Sequence, residues 1–202
     1  MKYVSTYTMI LLMLVITGCT YLFGWNIHAP GILSAQFYEE RTPADRRVAL
    51  YVNPAAREFQ SDDKGDRFAD PKVFNVGEAF YPMIIEAFQA SFTEFVLIDV
   101  EPTDAILKQH SIPYLVAVDI TGFDNRGIMK AHSYALKTEV YVFDSDLNLR
   151  ARFEAERSSE AQKLYGKKGA PEVNLNAAVE NNIKVTVEFL HDLLVGEYEE
   201  VN

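Results

Sequence analysis

AHSYALKTEVYVFDSDLNLRARFEAER, residues 131–157, decides the fold. Two alternating segments, Ala131 to Phe143 and Leu149 to Arg157, flank Asp144-Ser145-Asp146-Leu147-Asn148, whose short polar side chains supply turn chemistry, so the stretch is a β-hairpin. In its second arm Ala151, Phe153 and Ala155 alternate with Arg150, Arg152, Glu154 and Glu156, which gives a sheet with one dry and one wet face.

Working outward, Tyr114 to Phe123 forms a third long strand immediately upstream. Downstream, beyond the basic, glycine-rich loop 165–171, Asn174 is placed to cap a helix running to about Val195. Its stripe of Leu175, Ala178, Val179, Ile183, Val187, Leu190 and Leu194 recurs at helical spacing, and Gly196 fits its C-cap. Nearer the amino terminus, Val48-Ala49-Leu50-Tyr51-Val52 is a buried strand stopped by Asn53-Pro54, since proline cannot donate to a ladder. A polar loop, Ser61 to Lys72, follows; it lacks the alternating ligands and closing glutamate of a calcium-binding EF-hand.

Asn75 with Glu78 has the spacing of a capping box, and Val76, Ala79, Phe80, Met83, Ile84, Ala87, Phe88 and Phe92 form one apolar stripe. Pro82 requires that this helix either start near Tyr81 or kink there. Phe95 to Ile98 is a second buried strand, completing a βαβ unit, and a short helix fits Thr103 to His110. The expected fold is therefore α/β: a single layered domain with a mixed, mostly antiparallel sheet and two main helices on one face, in the order β-α-β-(α)-β-β-β-α.

Composition bounds the function. The 202 residues are 49% hydrophobic and 24% charged, as in an ordinary globular protein, with a net charge of −10. Such a surface repels phosphate backbones and anionic lipid, so nucleic acid is excluded as a partner and any membrane attachment must come from a lipid. Cys19 is the single cysteine, which rules out an internal disulfide and paired-cysteine zinc sites.

The first residues explain that cysteine. Lys2 and the amino terminus make a small positive region, and Met9 to Ile16 is an apolar run of signal-peptide length, too short to span a bilayer. Ile16-Thr17-Gly18-Cys19 resembles the lipobox of bacterial lipoproteins. The resemblance implies that Ile16, Thr17 and Gly18 are read by the signal peptidase, which requires small residues at the cut, and that the Cys19 thiol becomes a thioether to diacylglycerol. Residues 1–18 are then a signal peptide, 19–45 a lipidated N-terminus and tether, and 46–198 a periplasmic domain. Thr20, where aspartate would favour the inner membrane, implies the periplasmic face of the outer membrane.

Chemistry-bearing motifs are scarce. Gly166-Lys167-Lys168-Gly169 lacks the spacing of a phosphate-binding loop, and His28, His110, His132 and His191 are far apart in sequence, so no metal or cofactor is implied. Near the end of a helix, His191 reads as structural. Asp119, Asp124 and Asp144 could meet near strand ends as a carboxylate pair. Ser91, Ser133 and Ser158 lack a nucleophile-elbow context, and no catalytic residue is assigned.

With the lipobox, the strand Val48 to Val52, the segment Gly77-Glu78-Ala79-Phe80 through Phe95-Val96-Leu97-Ile98, the Phe143-Asp144-Ser145-Asp146 turn and the last helix, the chain resembles a broad group of small envelope lipoproteins. That group includes the peptidoglycan-synthase activators and the lipoproteins of curli and exopolysaccharide export. The resemblance implies a non-enzymatic accessory or assembly factor of an envelope biogenesis or export system. Its partners would be the membrane through lipid on Cys19, an envelope protein, and further copies in a homo-oligomer. The alternative is a lipid- or glycan-binding component of a transport system, and a third reading is a periplasmic hydrolase.

Overall fold

The computed structural model describes residues 25–64, 71–128, 131–159, 162–163 and 170–196. Along the chain these form β1 (Trp25–Ile27), α1 (Ala35–Glu39), β2 (Ala44–Val52), α2 (Pro54–Arg57), β3 (Gln60–Asp63), β4 (Lys72–Asn75) and α3 (Val76–Ser91). They continue as β5 (Phe92–Leu97), α4 (Asp104–Gln109), β6 (Tyr114–Ile128), β7 (Ala131–Asp144), β8 (Leu149–Ser158), β9 (Gln162–Lys163) and α5 (Pro171–Gly196). The expected α/β fold is what forms.

The main sheet runs β5-β2-β6-β7-β8, with β9 also pairing β7. β2 lies between parallel neighbours β5 and β6, and its Val48, Ala49 and Leu50 are wholly buried, as the continuous apolar run of a doubly covered strand requires. From β6 onward the sheet is antiparallel, with Val116 opposite Val142 and Val140 opposite Phe153. The β7–β8 turn closes as the sequence indicates. One Asp144 carboxylate oxygen accepts from the amides of Asp146 and Asn148, each at 2.9 Å.

Both long helices pack on one face of this sheet, and every residue of the predicted α5 stripe is buried. Asn182 ties α5 down: its amide donates to the carbonyls of Leu136 (3.1 Å) and Ala155 (3.2 Å), and its oxygen accepts from the Thr138 hydroxyl (2.8 Å). These bonds satisfy polar groups that would otherwise be costly inside the core. On the opposite face α4 buries Leu107 against Ala49, Ile98, Ile112 and Leu115. Thr103 caps that helix through the amide of Ile106.

Several local readings are corrected. Of the segment read as a tether, whose five aromatics imply that part of it packs on the domain or on a partner, the stretch from Trp25 onward packs on the domain. β1 pairs with β4, and Ile27, Leu33 and Phe37 join the main core. The ends of the polar loop pair as strands, Gln60 opposite Asn75 through Asp63 opposite Lys72; residues 65–70 lie outside the described residues.

The capping box at Asn75 does not form. Its amide nitrogen donates to the Ile27 carbonyl, its oxygen accepts from Gln60, and Glu78 meets His28 instead. Helix α3 begins at Val76 and runs through Pro82. Gly31, at φ +64°, passes over it so closely that a Cβ would lie 3.0 Å from the proline ring, an approach and a backbone conformation that suit glycine. Likewise α5 starts at Pro171, whose fixed φ suits a first helical turn, and Asn174 is buried within the helix.

Candidate functional site

On the face away from the two long helices α4 covers only the region of Ala49 and Leu115, and the alternation of β6, β7 and β8 determines what the rest displays. Tyr51 from β2, Asn53 just after it, Ala117 and Asp119 from β6, and Tyr141 and Phe143 from β7 line a shallow groove of 220 Å³. The rings of Tyr141 and Phe143 stack 6.3 Å apart at 22°. Beside them the surface turns polar. Arg152 on β8 pairs with Glu139 and, at 3.0 Å, with Glu154, and its guanidinium lies 5.8 Å above the Tyr141 ring, within cation–π range.

The electrostatics of this cluster favour fixed protonation states. A hydrogen bond from the Tyr141 hydroxyl, then one from Arg152, hold the Glu139 carboxyl below its ordinary range. The same bond to Glu139 is the main cause that lifts Tyr141 above the ordinary phenol value. The carboxylate thus stays charged and the phenol neutral at physiological pH.

The other candidates disperse. Asp119 accepts from the Ile120 amide, Asp124 pairs with Lys137, and Asp144 serves its own turn and Arg150, so the three do not share a site. His28 bonds Glu78, while His191 lies beside Arg41 and Ser91 in a separate surface groove. Among the described residues no group of three or more His, Cys, Asp or Glu side chains could hold a metal. No described helix is long and apolar enough to cross a membrane. Ile16, Thr17, Gly18 and Cys19 lie outside the described residues, as do residues 164–169 of the basic loop.

Sequence reading did not single out Tyr51, Glu139, Tyr141, Phe143 or Arg152. The available signal was the period of two in β7, which sends Glu139, Tyr141 and Phe143 to one side.

No family model and no curated protein matches the chain. Its backbone is similar to that of a hypothetical protein from Chlamydia trachomatis (TM-score 0.48, 15% identity, covering 74% of this chain and 97% of that one). It is also similar to a dodecamer of PelC from Paraburkholderia phytofirmans (TM-score 0.44, 7% identity, 73% of this chain and 88% of that one). A third similar structure is a lipoprotein from Neisseria meningitidis (TM-score 0.30, 6% identity, 78% of this chain and 99% of that one). Of the expected resemblance, what is met is that proteins of similar backbone include one named as a lipoprotein; no sequence family is found.

Proposed function

We propose that the chain is a lipoprotein held by lipid on Cys19 at the periplasmic face of the outer membrane, where it acts as a non-enzymatic accessory or assembly factor for an envelope biogenesis or export system. One observation carries this reading. Strand β1 begins at Trp25, six residues after the lipobox cysteine, so the two can stand no more than about 20 Å apart. A domain on so short a lead is confined beside the bilayer, where its effective concentration toward neighbouring envelope proteins is high. The open sheet face, with a stacked aromatic pair and a fixed Arg152–Glu139 ion pair, offers the mixture of rings and arginine that protein interfaces favour.

Labelling cells with palmitate tests the anchor: wild type should incorporate it and Cys19→Ser should not, and equal incorporation would remove the basis of the reading. A photo-crosslinking phenylalanine analogue at Tyr141 tests the surface. It should give a discrete adduct in intact envelopes that Cys19→Ser abolishes, while the same probe at exposed Gln89 on α3 gives none. Identical adducts from both positions would refute a role for the open face.

A further inference from the structure

We propose that β8 pairs edge to edge with β8 of a second copy of this chain, antiparallel about a two-fold axis through Phe153, so that two sheets join into one. This inference is independent of the lipid anchor. β8 ends the main sheet, and among the described residues no strand covers its outer side. An uncovered strand edge is a template for pairing, and its side chains decide with what.

Along the wet side of β8 the charges run Arg150, Arg152, Glu154, Glu156, two positive and then two negative. In an antiparallel pair of identical strands, residues facing each other lie symmetrically about the axis, and the face rule allows the axis only at a residue position. Centred on Ala151, Arg150 would face Arg152; centred on Ala155, Glu154 would face Glu156. Centred on Arg152 or on Glu154, that residue would face its own copy. Only Phe153 as centre sets Arg152 against Glu154 and Arg150 against Glu156, twice each by symmetry, with no like charges opposed. Opposite charges facing across strands attract and like charges repel, so the series selects a second copy and a single register. The bulge lies in β8 itself: Ala151 faces Val142 and Leu149 faces Phe143, so Arg150 is the extra residue, and the register rests on Arg152 and Glu154.

The dry side agrees. Phe153 is only partly buried and stacks on Phe189 of α5 at 4.4 Å and 10°, at the margin of the core. In the proposed pairing Phe153 meets Phe153 of the second copy, and each core margin is closed by the other.

The intrachain geometry separates association from folding. Glu154 lies directly opposite Glu139 within the chain, so Glu154→Arg removes an internal opposition of like charges while creating one across the dimer axis. Sedimentation equilibrium of the full chain in nonionic detergent would compare wild type, R152E, E154R and R152E/E154R, with thermal melting of each as the measure of folding. Wild type should dimerise, each single reversal should raise the dimer Kd about tenfold, and the double reversal should restore it. E154R gives up its ion pair with Arg152 but gains Glu139 opposite it, so it should raise the Kd with little change in melting temperature, which keeps the test valid even if R152E is damaged by losing Glu139. A wild type that stays monomeric, four proteins with the same Kd, or a double reversal as weak as the singles would overturn the proposal.

Discussion

The β7–β8 hairpin and the strap from Trp25 to Pro43 are both ordered parts of one domain, yet their order has opposite origins. The hairpin is specified by neighbours in sequence: alternating faces, and an Asp144 carboxylate that gathers amides two and four residues on. The strap is specified by residues far away. Asn176 on α5 accepts from the amide of Gly31 (3.0 Å) and donates to the carbonyl of Ile32 (2.8 Å), 145 and 144 residues apart in the chain. Ser34 donates to Glu180 of the same helix, and Arg41 donates to the Lys184 carbonyl while its guanidinium covers the Phe37 ring at 4.1 Å. Local pattern therefore specifies the hairpin, whereas the order of the strap depends on the surface it packs against.

If that contrast is right, the largest effect belongs to the strap's deepest anchor. Phe37 is 2% exposed, and Phe37→Ala should lower the stability of the whole domain by about 3–5 kcal/mol, the usual cost of emptying a buried aromatic site. Urea unfolding would measure this; a loss below 1 kcal/mol would mean that the strap is an appendage. Next is Gly77, where α3 meets α2. A Cβ there would stand 2.3 Å from the Arg57 carbonyl oxygen and 2.4 Å from that of Ala56, both backbone atoms with little room to yield. Gly77→Ala should cost roughly 3 kcal/mol, the upper end of ordinary overpacking, seen as a lower urea midpoint at unchanged slope.

A smaller and more local effect should follow Asn176→Ala. It removes the strap's hydrogen bonds at Gly31 and Ile32 without emptying the core and should cost about 1 kcal/mol. Hydrogen exchange should show faster exchange at the amides of Gly31 and Ile32 with the hairpin amides unchanged; uniform acceleration in both regions would erase the distinction between them.

The smallest effect concerns the hairpin's wet face. Glu139 is held below its ordinary range chiefly by the Tyr141 hydroxyl, so its contribution is fully present above the unfolded-state value and fades as pH falls through the lower folded-state one. Between pH 5 and pH 3 the melting temperature of wild type should therefore fall slightly more than that of Glu139→Gln. Parallel curves would show that the cluster adds nothing to folding.

Long elements were legible in the sequence because their signals are periodic and self-contained. The alternation of β8 and the α5 stripe from Leu175 to Leu194 each report one buried face, and both faces are where periodicity puts them. End signals fared worse for a physical reason. Asn75 and Glu78 have capping-box spacing, but Gln60, Ile27 and His28 arrive from elsewhere and engage the same polar atoms. Ile27, Leu33 and Phe37 share no single period, because the strap passes from the three-residue β1 to the five-residue α1 and its buried positions are set by the shape beneath it.

The candidate surface was only half visible. Alternation in β7 implies that Glu139, Tyr141 and Phe143 share a side, whereas their meeting with Tyr51 and Asp119 depends on β6 separating β2 from β7, a strand order no short-range pattern encodes.

By itself the sequence determined the α/β class, the hairpin and its turn, the two helical stripes and the lipobox signature, since each depends on residues within a few positions of one another. Tertiary structure alone decided that the strap belongs to the domain, that Asn75 serves β1 and β3 instead of a helix end, and which side chains share the open face. Those outcomes turn on competition among partners dozens to more than a hundred residues apart, and that competition is resolved only when the chain has closed on itself.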